Sequence, residues 1–437
     1  MTNSTSETLS FPACRKRRVE ARFDGGDVTS NGGVLLLRQA DRVLDLTARV
    51  ARGLSEGRQR GKVRHRLVDM VRQRVFGIAL GYEDLNDHDG LRHDLAMQTA
   101  VGRDRPLASA PTLCRFENAA ERGWARTIHE VLVETFIAAH GPPPAQIVLD
   151  IDATDDAVHG AQDGRFFHGY YDHYCFLPLY VFCGDHLLVA YLRPANIDPA
   201  KHAQAILKLL VARLRQAWPK VRIVLRADSG FCRWRLMNWC ERAGLGYILG
   251  LARNSRLVAL AEPEMAAAEA AYAGSGLKQR RFAELRYAAK TWNRERRVIA
   301  RLEHGPKGTN PRFVVTNLDG EGQRLYERLY CARGEMENRI KEQQLGLFAD
   351  RTSCHKWWPN QLRLLLASLA YVLIAAIRRI ALTATDMARA QCATIRLKLF
   401  KIGAVVTRNT RRIRFMLSSA CPDKDLFRLI SARLKPG

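Results

Sequence analysis

The sequence predicts an α/β protein in which helices flank a mixed β-sheet. Short apolar runs separated by turns begin near residue 146, and helical stretches alternate with the later runs. On both sides of this region, apolar positions recur at helical spacing. A chain of 437 residues, 47% of them hydrophobic, is expected to fold into two to four structural units.

The first predicted unit is a helical and strongly basic region at residues 1–140. Basic runs occur at residues 14–18 (CRKRR) and 57–66 (GRQRGKVRHR), and the solvated face of a helix remains an alternative explanation for each run. The segment GPPPAQ at 141–146 should end the helices as a short stiff joint. Helical spacing is clearest at Val34, Leu37, Ala40, Val43 and Leu44.

The predicted sheet begins after this joint. The runs IVLDID, FLPLYVFCG and HLLVAYL indicate an antiparallel meander of three strands. Helices at 199–218 and 233–242 then alternate with the runs VRIVLRAD and LGYILGLA, which is typical of parallel strands joined by crossover helices. Residues 141–253 are therefore the first part of a predicted sheet domain.

The rest of the chain predicts an insertion, a helical segment and a basic tail. Strand-like runs indicate a β-rich insertion at 254–322, and helical periodicity returns at 323–390 as the second part of the sheet domain. The apolar run at 364–376 is shorter than the roughly 20 residues that span a bilayer, so we expect a buried core helix. In the tail, 391–437, residues 394–417 fit either a two-stranded basic ribbon or a basic helix.

The charge balance indicates an anionic partner. The chain has 69 Lys and Arg residues against 44 Asp and Glu residues, which gives a formal net charge of +25. Such an excess favours nucleic acid. The amino-terminal stretch has no apolar run typical of a signal peptide, and the ten cysteines show no metal-ligand spacing. We therefore expect a cytoplasmic protein with reduced cysteines and no membrane partner.

Two predicted strands end in acidic residues. Asp150 and Asp152 close the run IVLDID, and they share one face because side chains alternate along a strand. Asp228 follows the run IVLRA. Sites in open α/β sheets form beyond the carboxyl ends of strands, so Asp152 and Asp228 are predicted to converge there. A turn or helix-cap role remains the alternative for either acid taken alone.

A third candidate group lies in the segment YCARGEMENRIKEQQ at residues 330–344. Its members are three or four residues apart and therefore fall on one face of a predicted helix. A salt-bridged face in solvent is the alternative explanation. The members are Tyr330, Arg333, Glu337, Lys341 and Gln344.

Taken in order, three motifs resemble those of the bacterial insertion-sequence DDE transposases, whose catalytic domain is RNase H-like. They are DAT at 152–154, RADSGF at 226–231 and Y-x2-R-x3-E at 330–337. The resemblance covers nearly the whole chain. It includes FDGGDVTSNGGVLLL at 23–37, GYEDLNDHDGLRHD at 81–94, FFHGYYDHYCFLPLYVF at 166–182 and NRIKEQQLGLFADRTS at 338–353. One departure is Gln344, where the wider signature has a lysine, and Lys341 is the candidate substitute.

The resemblance implies that Asp152, Asp228 and Glu337 are catalytic acids that hold two Mg²⁺ ions, with Mn²⁺ able to replace them. Such ions activate the attacking oxygen and stabilise the leaving oxygen of a phosphodiester, and hard divalent cations prefer carboxylate ligands. Asp152 would bridge the ions, with Asp150 as the alternative first ligand. DNA contacts are implied for Tyr330, Arg333 and Lys341, in which the planar guanidinium would clamp a phosphate.

Other polar clusters are left outside the predicted site. Asp155 and Asp156 are predicted to be turn residues or outer groups. The segment FFHGYYDHY either borders a DNA groove or packs at the sheet edge, and Trp292 either stacks on a base or lies in the core. For residues 81–94, a polar loop that caps its own backbone is favoured over a metal site.

The implied function is that of a transposase. It would bind the terminal inverted repeats of its own element, cut the DNA there and join the 3′-hydroxyl ends to target DNA, as a homodimer on DNA at the bacterial nucleoid. The basic region at 1–140 would bind the element ends, and binding should weaken as salt rises. Two alternatives remain open, a standalone Mg²⁺-dependent structure-selective nuclease and a DNA-binding descendant that no longer cuts.

Overall fold

The structure, a computed structural model, describes residues 7–435. These residues form two compact units. Unit 1 comprises the described residues up to Trp124, residues 346–348 and the described residues from Leu369 onward. Unit 2 comprises residues 125–345 and 349–368. The strand-end acids and the segment 330–344 all lie in unit 2.

The described residues contain fifteen α-helices, numbered here along the chain. They are α1 (Val34–Leu44), α2 (Leu46–Gly53), α3 (Leu67–Leu80), α4 (Asp87–Leu91), α5 (Leu95–Val101), α6 (Ala110–Asn118), α7 (Arg122–Ala138), α8 (Ala203–Ala217), α9 (Trp234–Arg242), α10 (Ser255–Ser275), α11 (Gly322–Arg324), α12 (Gly334–Leu347), α13 (Trp357–Ala381), α14 (Cys392–Ile395) and α15 (Lys424–Arg433).

Sixteen strands are present in the same residues. They are β1 (Leu9–Cys14), β2 (Arg17–Ala21), β3 (Val28–Thr29), β4 (Gln146–Ala153), β5 (Asp156–Ala157), β6 (Phe166–His168), β7 (His173–Phe176), β8 (Leu179–Cys183), β9 (His186–Tyr191), β10 (Arg222–Ala227), β11 (Gly246–Leu251), β12 (Gln279–Tyr287), β13 (Arg296–Gly305), β14 (Gly308–Thr316), β15 (Ala404–Arg408) and β16 (Ile413–Leu417).

An eight-stranded mixed sheet dominates unit 2, with strand order β12-β13-β14-β11-β10-β4-β8-β9. The central strands β4, β10 and β11 are parallel to one another, and every other pairing in the sheet is antiparallel. Helices α8 and α9 connect these strands, as the alternation of runs predicts. The predicted mixed α/β sheet flanked by helices is confirmed.

Residues 254–322, predicted as a β-rich insertion, instead begin with the long helix α10 and then extend the main sheet. β14 lies antiparallel to β11, with Val315 opposite Leu249. Apolar side chains of β13 and β14 join the same core as those of β4 and β10. The sequence pattern identified strands here, but strand-like runs alone do not show which sheet edge they will join.

In unit 1, the residues before Val34 differ from the predicted helical region. β1 and β2 form an antiparallel hairpin whose residues are all exposed, and the basic run at 14–18 surrounds its turn. β3 pairs with β15, which in turn pairs with β16. The tail, expected at 394–417 to be a two-stranded ribbon or a helix, contains both: Cys392–Ile395 and Arg396–Phe400 are helical, and β15 and β16 form an antiparallel pair that β3 extends to three strands.

The predicted core helix at 364–376 is confirmed as part of α13. Of the helices in residues 7–435, α13 alone is long and apolar enough to cross a bilayer, and 89% of its most apolar 18-residue window is buried inside the protein. Such burial is typical of a helix in a protein core. All ten cysteines are free thiols.

Candidate active site

The parallel pairing of β4 and β10 brings Asp152 and Asp228 to one edge of the sheet. Ile151 lies opposite Ala227 in the register, and the next residue on each strand is the acid. Asp228 leaves the strand and accepts a hydrogen bond from the Gly230 N–H at 2.9 Å. The turn role considered for Asp228 is therefore real, and it fixes the carboxylate at the strand end.

A guanidinium links the late helix to this edge. Arg333 donates one hydrogen bond to Asp152 Oδ2 at 3.0 Å and another to Glu337 Oε1 at 2.5 Å. Asp152 and Glu337, 185 residues apart along the chain, are thus held by the two ends of one planar group. Because the guanidinium is planar and rigid, its two bonds restrict the distance between the two carboxylates.

The electrostatics of Asp152 reflect this crowding. Burial raises its pKa to about 7, Arg333 opposes the rise, and the nearby charges of Asp228 and Glu337 add to it. Like charges in a poorly solvated space favour uptake of a proton. The three acids are therefore electrostatically coupled, although they come from two strand ends and a distant helix.

Asp150, the alternative first ligand, is already engaged. Both of its carboxylate oxygens accept hydrogen bonds from Arg226, at 2.5 and 2.7 Å, and the two residues are cross-strand neighbours. Burial raises the pKa of Asp150, and the bonds from Arg226 oppose that rise. Arg226 also donates to the Leu329 carbonyl at 2.5 Å. Asp150 therefore serves to anchor the start of the late helical segment to the sheet.

Tyr330 packs where β10 and β11 end. A Cβ atom added at Gly250 would lie 2.7 Å from the Tyr330 hydroxyl and 2.8 Å from the Ser229 nitrogen. Only glycine leaves room for this approach. Gly250 was missed by the sequence analysis, yet a glycine inside the apolar run YILGLA is a known signal for close backbone contact.

The segment before α12 is not regular α-helix. Leu325–Tyr330 is wound as a π-helix and Cys331–Arg333 as a 3₁₀-helix. The predicted single helical face is therefore interrupted between Tyr330 and Glu337, although Arg333 still contacts the acid one turn later. Lys341 lies exposed on α12 and, within the described chain, has no ion pair with Asp152, Asp228 or Glu337.

Gln344 has a structural contact that its position in the motif did not predict. Its side-chain amide donates to the Asp155 carbonyl at 2.9 Å and to Asp156 Oδ1 at 3.0 Å. Asp156, expected to be a turn or outer residue, is instead fully buried on β5, and burial raises its pKa well above the ordinary value. Gln344 thus connects α12 to the residues just after Asp152. A lysine at this position would bring a positive charge to the same contact.

The clusters left outside the site have ordinary partners. Asp94 caps α5 by accepting from the Ala96 and Met97 N–H groups, and the buried His88 contacts Gln73 and Arg74. Across residues 7–435, no three His, Cys, Asp or Glu side chains are arranged closely enough to hold a metal ion as they stand. At the candidate site, this agrees with the position of Arg333 between two of the acids.

A family model described as transposase DDE domain group 1 matches residues 11–436. No curated protein sequence matches the chain. Among solved structures, the chain is similar to the piggyBac transposase in a cryo-EM synaptic complex with hairpin DNA, at 10% sequence identity and a TM-score of 0.42. This match covers 90% of this chain and 82% of that chain.

Proposed function

The chain belongs to the transposase DDE domain group 1 family, and from that membership we propose that it is a cut-and-paste transposase. It binds the terminal inverted repeats of its own insertion sequence, cleaves the DNA at those ends and joins the 3′-hydroxyl groups to target DNA. A homodimer bridges two DNA ends at the bacterial nucleoid. The observation that carries the proposal is the hydrogen bonding of Asp152 and Glu337 to one guanidinium beside the Asp228 strand end.

The acids fit a divalent cation by their chemistry. Asp152, Asp228 and Glu337 offer carboxylate oxygens, which Mg²⁺ and Mn²⁺ prefer, and a cation would offset the repulsion that raises the pKa of Asp152. These three residues would hold the ions. When bound, such ions lower the pKa of the attacking water or 3′-hydroxyl and neutralise the leaving oxygen.

The chain's own cations and aromatic groups orient the DNA. Arg333 offers a planar fork that can grip a phosphate in place of a carboxylate. The Tyr330 hydroxyl lies beside Asp228, where it can donate a hydrogen bond to the DNA backbone. The ion pair of Asp150 and Arg226 holds the backbone at Leu329, next to Tyr330, at the end of the sheet.

The test uses the full chain, labelled DNA from either side of its gene, and Mg²⁺. The parent should cut at short inverted repeats and produce joined strands, and Asp228→Ala should abolish both activities. Asp425→Ala is the matched control because Asp425 is an exposed acid on α15 that pairs only with its neighbour Arg428 in the described chain. Undiminished cutting by Asp228→Ala would refute the proposed site. Cutting without joining would support the standalone nuclease instead.

A further inference from the structure

A cluster of exposed aromatic rings lies on the three-stranded sheet β5-β7-β6, which follows β4 in the chain. We call residues 165–174 the aromatic hairpin, because they include β6, the turn and the start of β7. Large apolar rings are usually buried, and an exposed group of them marks a binding surface. The exposed fractions are 40% for Phe166, 51% for Phe167, 85% for Tyr170 and 47% for Tyr174.

Strand alternation explains why part of this cluster cannot be buried by its own fold. Phe166 is paired with Cys175, which is fully buried, whereas the next pair, Phe167 and Tyr174, faces the opposite side. The rings of Phe167 and Tyr174 meet edge to face with their centroids 5.7 Å apart. They form an outward-facing platform, on the face of the strands opposite to the buried Cys175.

The platform carries a cation. The guanidinium carbon of Arg165 lies 4.6 Å from the centroid of the Tyr174 ring. Between Arg165 and Tyr174 the sequence RFFHGYYDHY contains no aliphatic side chain. Aromatic faces combined with a basic group suit a nucleobase and its phosphate, because any base can stack and the cation neutralises the backbone. The excess of basic residues in the chain is likewise complementary to a polyanion such as DNA.

The hairpin contacts the residues that directly follow β4, the strand that carries Asp152. His173 Nε2 lies 2.8 Å from Asp155 Oδ2, and β7 pairs with β5 immediately beyond Asp155. Tyr171 and Ala153, the residue after Asp152, pack against the same buried cluster, and the Tyr171 ring lies 5.0 Å from the Tyr170 ring. A DNA strand whose phosphate lies at Asp152 would therefore have its neighbouring nucleotides near these rings.

We propose that the aromatic hairpin is a stacking platform for unpaired nucleobases next to the cleaved phosphodiester. The proposal rests on the proposed function, because it assigns the substrate a locally unpaired end. The sequence left open whether the segment FFHGYYDHY borders a DNA groove or packs at the sheet edge. The proposal assigns it a direct contact with DNA bases. Stacking of this kind requires no particular base. It therefore increases the affinity for unpaired DNA of any sequence.

The test compares binding of two DNAs in the absence of divalent ions, so that no cleavage occurs. One is a paired duplex of the element end, and the other has four unpaired nucleotides at the cleavage position with 2-aminopurine among them. The parent should bind the unpaired DNA more tightly and change the 2-aminopurine fluorescence. The double variant Phe167→Ala with Tyr170→Ala should lose the preference by on the order of tenfold per ring, and Phe167→Trp should retain it.

The controls separate this proposal from the function itself. Leu209→Ala removes a large apolar side chain on α8 that is 76% exposed, and it should change neither measurement. If the double variant keeps the preference, or if abasic nucleotides bind the parent as well as normal ones, the platform is refuted even when the parent cuts DNA. A change of oligomeric state in the double variant, with the preference intact, would also overturn it in favour of a contact between two copies. Absence of cutting by the parent would refute the proposed function alone.

Discussion

Two arginine–carboxylate clusters lie two residues apart on β4, and they differ mainly in solvent access. In the inner cluster, the side chains of Asp150 and Arg226 are 4% and 10% exposed. In the outer cluster, Asp152, Arg333 and Glu337 are 14%, 18% and 44% exposed. The inner pair is saturated by its own hydrogen bonds, whereas the outer group shares one cation among more negative charge. The same residue types therefore provide an anchor at one depth and the candidate active site at the next.

The largest expected effect comes from removing the charge of the outer cluster. Asp152→Asn should lower the rate of end cleavage by more than about a hundredfold, because even groups that only support metal ligands change activity by about 10–100-fold. Folding should be preserved, since asparagine has nearly the same shape. Single-turnover cleavage of labelled DNA measures the rate, with Asp425→Asn as control. Parental activity in Asp152→Asn would mean that the first acid is elsewhere.

Substitution in the inner cluster should lower the stability of the fold. Asp150→Asn leaves Arg226 buried without a counter-charge, which typically costs about 3–5 kcal/mol. We therefore expect a lower urea midpoint, measured by circular dichroism. The double variant Asp150→Leu with Arg226→Met should recover most of that loss, because an apolar pair can replace a buried ion pair. A single variant as stable as the parent would show that the pair is not an anchor.

The approach of Tyr330 to Gly250 offers a smaller and more local test. Gly250→Ala places a Cβ against the Tyr330 hydroxyl and the backbone at Ser229, and overpacking of this kind costs about 1–3 kcal/mol. Cleavage should fall because Asp228 is displaced with its neighbour. Gly246→Ala on the same strand is the matched control, since its Cβ meets only the side chains of Leu318 and Val224 and no backbone near the acids. Equal cleavage rates for the two variants would argue against a link between Gly250 and the acids.

The last test concerns the pH dependence of stability in the outer cluster. Asp152 has a pKa of about 7 in the folded chain and near 3.8 when unfolded. Between these values the folded protein keeps a proton that the unfolded chain releases, so the free energy of unfolding falls as pH rises through this window. The melting temperature of Asp152→Asn relative to the parent should therefore rise from pH 4 to pH 7 and then level off. Scans in EDTA measure this, and a constant difference would contradict the assigned pKa.

Much of unit 2 could be predicted from the sequence, because period and punctuation are local signals. The runs ending at Asp152 and Asp228 identified neighbouring strand ends, and the spacing of Arg333 and Glu337 identified a contact one helical turn long. Three features could not be predicted in this way. The attachment of β12–β14 to the main sheet, the pairing of Asp150 with Arg226 and the burial of Asp156 all depend on residues distant in the chain. Domain boundaries and DNA-binding roles remain predictions.

One consequence of Arg333 concerns thermodynamic linkage. Its guanidinium carries a single positive charge and already bonds to Asp152 and Glu337, so an incoming phosphate would compete with these two carboxylates for that charge. A strand that draws this group away leaves the two carboxylates more strongly anionic and more attractive to divalent ions. By reciprocity, ions at those carboxylates would release the group toward the strand by the same coupling free energy. In the proposed transposase, DNA and divalent ions would therefore each favour the binding of the other.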